Sequence, residues 1–359
     1  MTTVDSRRPV FHRLTVAAVQ TVCDDAVAVT FEVPADLAGA YEFRPGQSLT
    51  LRRKVEGREE RRSYSICSPA GSAPRIGVRE VPNGLFSRWL VRDVRPGDEV
   101  EVLPPTGNFT PDLGVAGHHV LIAAGSGITP PILSIATSLL STVDTRVTLL
   151  YGNRRTDTVM FADDLADLKD THPTRLELAH VLSREPREAE LFSGRLDAEK
   201  LRTLLPLLLD VTDVDHWWMC GPYAMVTEAR DVLAELGVTD ERIHQELFFV
   251  EEAPPEPARH HDPTVEGPVS EVTVLLDGRS TVVPVARDTR LLDGAQRVRP
   301  DLPFACKGGV CGTCRARVVT GEVDLRRNFA LDQSELDAGF VLTCQSYPVS
   351  DTLTVDYDA

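Results

Sequence analysis

The sequence predicts a multidomain chain: an antiparallel β-barrel, then an α/β domain on a parallel sheet, then a small α+β domain. Three observations carry this reading. Short alternating apolar runs broken by Gly and Pro turns fill the first 113 residues. Longer apolar strands alternating with helical stretches follow. Four of the seven cysteines then crowd toward the C-terminal end of the chain.

In the first segment, 1–113, strands are expected at Leu14–Val22, Val27–Val33, Ser48–Arg53, Arg61–Ile66, Ile76–Val81 and Glu99–Leu103. Pro45-Gly46 and Pro96-Gly97 mark the clearest turns between them. Leu14, Val16, Ala18, Gln20 and Val22 should share one side of the first strand. In the second segment, 114–250, His118–Ala124, Arg146–Tyr151, Leu176–Val181 and His216–Cys220 read as buried strands, with a helix at Ile132–Leu140. Residues 251–268 hold five prolines and scattered acids and read as a linker. The third segment, 269–359, opens with a hairpin, Val272–Leu276 and Thr281–Val285, around the turn pair Asp277-Gly278. A short helix is expected near Leu291–Arg297.

The 359 residues carry a formal net charge of −16, of which 114–268 hold −13. Nucleic acid, whose phosphates demand basic surface, is excluded as a partner. No apolar run reaches the 18 or more residues of a membrane helix. Ser6-Arg7-Arg8 has the look of a twin-arginine export signal. The apolar stretch behind it is short and contains Gln20, so the expected location is the cytoplasm.

Cys306, Cys311 and Cys314 form C-x4-C-x2-C, and Cys344 follows 30 residues later. That is the thiolate spacing of a plant-type [2Fe–2S] cluster. The loop reads Cys-Lys-Gly-Gly-Val-Cys-Gly-Thr-Cys, and its glycines let the backbone wrap and turn N–H groups toward sulphur. A structural zinc site also accepts four cysteines, but such modules carry two C-x2-C knuckles and this chain has one.

A flavin site needs a cation for the pyrophosphate, an aromatic ring against the isoalloxazine and a small donor near its N5. Arg62-Ser63-Tyr64-Ser65 supplies all three types, although Tyr and Arg on a strand are also common surface pairs. Gly84-Leu85-Phe86-Ser87 precedes a helical stretch whose free N–H groups could meet a phosphate. Gly125-Ser126-Gly127-Ile128-Thr129-Pro130 follows a buried strand and opens a helix, which suits a nucleotide phosphate. It ends in Pro130, so it is not the dehydrogenase fingerprint.

Together these motifs resemble the ferredoxin–NADP reductase superfamily over residues 10 to 250, and the last 90 residues or so resemble a plant-type ferredoxin with its β-grasp fold. The resemblance implies that Arg62 binds the FAD pyrophosphate, that Tyr64 packs on the flavin and that Ser65 approaches N5. Gly84 and Ser87 match a second flavin motif, and Pro105-Thr106-Gly107-Asn108-Phe109 the turn that closes the barrel. It puts Gly125, Gly127, Thr129 and Pro130 at the nicotinamide loop, and Cys220-Gly221-Pro222 beside the ring. In His244-Gln245-Glu246-Leu247-Phe248, Glu246 would manage protons and Phe248 shield the flavin, though Phe249 leaves that register open. Ser183 and Arg184, with Arg154, match a clamp for a 2′-phosphate, which implies NADPH.

Barrel, nicotinamide domain and C-terminal ferredoxin occur in this order in the reductases of multicomponent oxygenases. The wording of Leu14-Thr15-Val16-Ala17, Arg61 to Cys67, Ala123 to Thr137 and Tyr151 to Arg154 is similar to the reductase subunits of phenylacetyl-CoA epoxidases. Reductases of steroid hydroxylases or Rieske-type ring hydroxylases are the alternatives. The implied activity passes a hydride from NADPH to FAD and then single electrons through the cluster to a partner oxygenase. Lys307, Arg315 and Arg317 are candidates for docking that partner, or an ordinary solvated face.

Overall fold

The computed structural model describes residues 10–55, 58–82, 84–128, 131–142, 144–247 and 268–359. Thr129, Pro130, Phe248 and the expected linker up to residue 267 lie outside the described residues. The described chain divides into two compact units, 10–247 and 268–359.

The first unit begins with strands β1 (His12–Cys23), β2 (Ala26–Glu32), β3 (Ser48–Val55), β4 (Arg58–Ser65), β5 (Arg75–Arg79) and β6 (Glu99–Val102), with helix α1 (Leu85–Arg92) before the last. They form one antiparallel sheet in the order β4-β3-β6-β1-β2-β5. Its two edges meet at a bridge between Ile66 and Ile76, which closes the sheet into a barrel. Leu14, Val29, Phe31, Leu49, Leu51, Ile66 and Ile76 fill it, and Phe86 and Leu90 of α1 join the same core.

The expected alternation along β1 fails halfway. The pairing with β2 slips between Val16 and Ala18. Beyond that bulge Ala18 and Gln20 face solvent, while Val19 packs on the barrel core. A bulge inserts one residue and so swaps the faces of everything after it. It also lets one strand serve two cores, since Val22 and Cys23 pack on the neighbouring cluster.

The same unit continues with β7 (His118–Ala124), α2 (Pro131–Leu140), β8 (Arg146–Asn153), α3 (Ala162–Thr171), β9 (Leu176–Leu182), α4 (Ala198–Leu208), β10 (His216–Gly221), α5 (Tyr223–Glu235) and β11 (Ile243–Leu247). These strands form a parallel sheet in the order β11-β10-β7-β8-β9. The order reverses between β7 and β10, and ligands of open α/β sheets bind at the carboxyl ends of strands at such a switch point. Ala26, Ala28, Cys67 and Phe109 of the barrel segment share a core with α2, Leu121 and Trp218. Arg75 pairs with Asp164 at 2.9 Å, and Ser134 Oγ donates to Ser68 O at 2.6 Å. Barrel and parallel sheet are therefore fastened by both apolar and polar contacts.

In the second unit, β12 (Val269–Leu276) and β13 (Arg279–Ala286) form the expected hairpin, with positive φ at Asp277 and Gly278 as a type I′ turn requires. The unit adds α6 (Leu291–Ala295), β14 (Arg315–Thr320), β15 (Val323–Leu325), α7 (Gln333–Asp337), β16 (Phe340–Leu342), β17 (Ser346–Pro348) and β18 (Thr352–Asp356). The main sheet runs β13-β12-β18-β14-β16, with β12 and β18 parallel, and β15 pairs with β17. Leu291, Leu292 and Ala295 of α6 pack into its core, the α+β arrangement of a ferredoxin domain.

Candidate functional site

At the end of β4 the barrel presents Arg62, Ser63, Tyr64 and Ser65. Tyr64 and Phe86 lie 6.1 Å apart, ring centre to ring centre, so the two stretches singled out for a flavin do meet in space. Burial lifts the Tyr64 phenol well above its usual range. Arg62 lies 3.1 Å from the Glu60 carboxylate and keeps two-fifths of its side chain exposed. Ser63 Oγ is 2.9 Å from Thr50 Oγ1, and Ser65 is buried.

Gly84 sits in a turn before α1, where a Cβ would come within 2.5 Å of Ser87 Oγ. Ser87 Oγ accepts the N–H of Val81 at 3.1 Å, so it builds that turn. Leu85 points to solvent while Phe86 is core. These four residues thus divide between turn, surface and core.

At the switch point the loops after β7 and β10 touch backbone to backbone. A Cβ on Gly127 would lie 2.1 Å from Cys220 O and 2.9 Å from Gly221 Cα. Only a glycine admits this approach. Gly125 takes φ +55, and its carbonyl accepts the hydroxyl of Tyr151 at 3.0 Å. Pro222 follows as the residue before α5.

Cys220 is buried opposite Glu246 on the neighbouring strand. Burial first, and then the Glu246 carboxylate, push the Cys220 thiol well above its usual range. Burial raises Glu246 itself to about 8, and its Oε2 is buried without a hydrogen-bond partner. At neutral pH this crevice therefore holds a neutral thiol and a protonated carboxyl. An orphaned buried oxygen beside a glycine contact fits a polar nicotinamide ring, which would supply the missing partner.

Further along the strand ends, Ser183 N donates to Asn153 O and Arg184 N to Arg154 O, at 2.9 and 2.8 Å. This backbone pairing sets the exposed Arg154 and Arg184 side by side. Both oxygens of Glu185 are occupied by Thr156, through its N–H at 2.8 Å and its hydroxyl at 2.7 Å.

Sequence reasoning missed Arg79, on β5 of the barrel. Its guanidinium pairs with Asp25 at 3.0 Å, donates to Thr158 O at 2.6 Å, and lies 3.4 Å from where a Gly125 Cβ would stand. A barrel cation thus ties β5 to the turn after β8 and stands beside Gly125. No local motif marks it, because each partner is distant in sequence.

In the second unit the cysteine loop wraps through positive φ at Lys307, Gly309 and Gly312. Gly308 N donates to Cys306 Sγ at 3.3 Å. The thiol of Cys311, then the N–H groups of Gly308, Val310 and Cys311, hold Cys306 below its usual range against burial. Cys314 is pushed up, first by Cys344 and then by burial.

Cys306 thus neighbours Cys311, and Cys314 neighbours both Cys344 and Cys311. Among the described residues, no three Cys, His, Asp or Glu side chains converge on one ion. Four neighbouring thiols in this spacing would hold an iron–sulphur cluster, which would supply one-electron transfer there.

Of the docking candidates, Lys307 is 2.7 Å from Asp293 and bonded to Gln296, and Arg315 is paired with Glu335. Arg317 is exposed. None of the described helices is long and apolar enough to cross a membrane.

Family comparison matches residues 13–110 to the oxidoreductase FAD-binding domain, 121–231 to the oxidoreductase NAD-binding domain and 274–349 to the 2Fe-2S iron-sulfur cluster binding domain. The chain is 42% identical over 353 residues to one of the subunits of 1,2-phenylacetyl-CoA epoxidase from Escherichia coli (strain K12), covering 97% of this chain and 98% of that protein. It is 36% identical over 355 residues to the ferredoxin reductase component of 3-ketosteroid-9-alpha-monooxygenase from Mycobacterium tuberculosis (strain ATCC 25618 / H37Rv), covering 96% and 95%. Phthalate dioxygenase reductase, a solved structure at 24% identity, shares the fold with a TM-score of 0.61 over 96% of this chain and 98% of that one.

Proposed function

The chain belongs to the family of oxygenase reductase components that join FAD-binding, NAD-binding and 2Fe-2S domains, and from that premise we propose that it oxidises NADPH and supplies a phenylacetyl-CoA epoxidase. The proposal divides the chain into a flavin barrel at 1–113, a nucleotide domain at 114–250, a linker at 251–268 and a ferredoxin domain at 269–359. When bound, FAD takes a hydride as two electrons and the cluster accepts them singly. The protein's own residues bind, orient and shield these groups. Arg62 and the α1 turn hold the flavin phosphates, and Tyr64 covers the ring. Gly125 and Gly127 let the dinucleotide backbone approach, with Cys220 beside the ring and a proton held on Glu246. Cys306, Cys311, Cys314 and Cys344 hold the cluster.

The observation that carries the preference for NADPH is the backbone pairing of Arg154 and Arg184 at the strand ends. Glu185, which could otherwise accept a ribose diol and repel a phosphate, is already bound to Thr156. Arg184→Ala should raise KM for NADPH about tenfold or more, the worth of a charge-assisted bond, with little change for NADH. An equal effect on both would remove the reading.

The partner rests on the 42% identity, against 36% for the steroid system. Reconstitution with each purified oxygenase decides it. NADPH oxidation coupled to product with the epoxidase oxygenase supports the assignment, and coupling only with the steroid or a Rieske-type oxygenase overturns it.

A further inference from the structure

The residue after the fourth cysteine is Gln345, and its side chain is buried. Burying a primary amide costs free energy unless its polar atoms find partners. A leucine or methionine would fill the same volume without that cost. Gln345 does find partners, and all of them lie at the cysteine loop. Its Nε2 donates to Lys307 O and to Cys344 O, both at 2.8 Å, and reaches Cys344 Sγ at 3.8 Å, within hydrogen-bond range for sulphur. An amide nitrogen carries two hydrogens, so one of them is shared.

The loop is shaped to admit this side chain. Lys307 is a non-glycine residue with φ +52, a conformation L-residues rarely adopt. Its carbonyl, turned inward, accepts the amide across 38 residues of sequence. At Gly309, with φ +83, a Cβ would stand 3.0 Å from Gln345 Cγ. The glycine leaves room for the glutamine stem, and the strained lysine supplies an acceptor that fixes the amide beside Cys344.

We propose that Gln345 sets the reduction potential of the cluster, its amide N–H stabilising the negative charge gained at the Cys344 sulphur on reduction. This rests on Cys344 being a cluster ligand. The physical ground is general: hydrogen bonds to cluster sulphurs favour the more negative, reduced state and raise the potential. Gln345 is a positioning residue in this role, acting through Cys344. The loop's backbone donor, Gly308 N to Cys306 Sγ, could be removed only by a backbone-altering proline, whereas this one is removed by a side-chain change alone.

The test uses the full chain with its flavin and cluster, comparing wild type, Gln345→Met and Tyr357→Phe. Tyr357→Phe breaks a neighbouring buried bond, Tyr357 OH to Thr343 Oγ1 at 2.9 Å, without touching a sulphur. Iron and sulphide content are measured first. The cluster midpoint is then read by potentiometry with paramagnetic resonance detection of the reduced form.

Gln345→Met should lower the one-electron reduction constant about tenfold, which is about 59 mV, while Tyr357→Phe leaves it in place. If Met cannot retain the cluster, Gln345→Glu keeps the shape, replaces the donor by an acceptor and must shift the potential in the same direction. An unchanged potential with full cluster content overturns the proposal. So does an equal fall in Tyr357→Phe, or cluster loss in both Gln345 variants, which would make the residue a brace only. A wild-type protein without iron and sulphide would instead overturn the assignment of the four cysteines.

Discussion

Replacing Glu246 by glutamine should stabilise the reductase unit, and more so as pH rises. Burial moves this carboxyl from an ordinary 4.5 to about 8. Its native form is therefore protonated through neutral pH. The stability tied to that proton is complete below 4.5, is lost progressively as pH climbs toward 8, and is level beyond. At about 1.4 kcal/mol per pH unit the ceiling is about 5 kcal/mol. The Glu246 residue as a whole keeps some exposure although Oε2 is buried, so water screening lowers the realised value.

A glutamine at this position would keep the shape and never ionise. Between pH 6 and 8.5 the Glu246→Gln variant should gain about 2 kcal/mol over wild type, or roughly 4–8 °C in Tm for a unit this size. Tryptophan fluorescence isolates the relevant unit, because the chain's three tryptophans are Trp89, Trp217 and Trp218. A gain that is the same at both pH values, or a loss at pH 8.5, would refute the picture of a carboxyl kept protonated by burial.

Three further outcomes follow from the same geometry. Gly127→Val should weaken NADPH binding at least tenfold and lower Tm, because its Cβ would stand 2.1 Å from Cys220 O; binding within twofold of wild type counts against the backbone contact. Cys344→Ser should lose the iron–sulphur visible envelope yet keep NADPH-driven ferricyanide reduction through the flavin; retention of a full cluster removes Cys344 from the ligand set. On acidification, His119 and His244, both held near 4 by burial and then by His216, should be forced to take up protons. Their lowered values mean that stability is present above about 6.5 and declines as pH falls toward 4, and His244→Asn should soften that decline in an acid melting series.

What the sequence made legible is what lies close together along the chain. C-x4-C-x2-C and Asp277-Gly278 are local instructions, and the structure shows the hairpin that the turn pair implies, with both turn residues at positive φ. Buried parallel strands such as His118–Ala124 announce themselves by unbroken apolar runs. The failure on β1 is equally physical. A bulge between Val16 and Ala18 leaves no trace in a hydrophobic pattern, since Ala18 and Val19 suit either face. The motif Gly84-Leu85-Phe86-Ser87 also proved mixed in its work. Ser87 builds a turn and Leu85 meets solvent, so a four-residue match does not make four ligands.

The illegible part of the site is the part that joins distant segments, and it decides the chemistry. The strand order β11-β10-β7-β8-β9 is what puts Gly127 against Cys220 and Cys220 beside Glu246. No spacing in the chain encodes that order. Once it is known, the protonated carboxyl follows: Glu246 sits on an edge strand, with its Oε2 buried and unpartnered. The same holds for Arg79, which joins β5 to the turn after β8 beside Gly125, and for Gln345, which reaches back 38 residues to Lys307. Each sets a polar group beside residues that a local motif singles out. Motifs thus point to the groups this reductase binds, while long-range pairs set the polar surroundings of the residues those motifs single out.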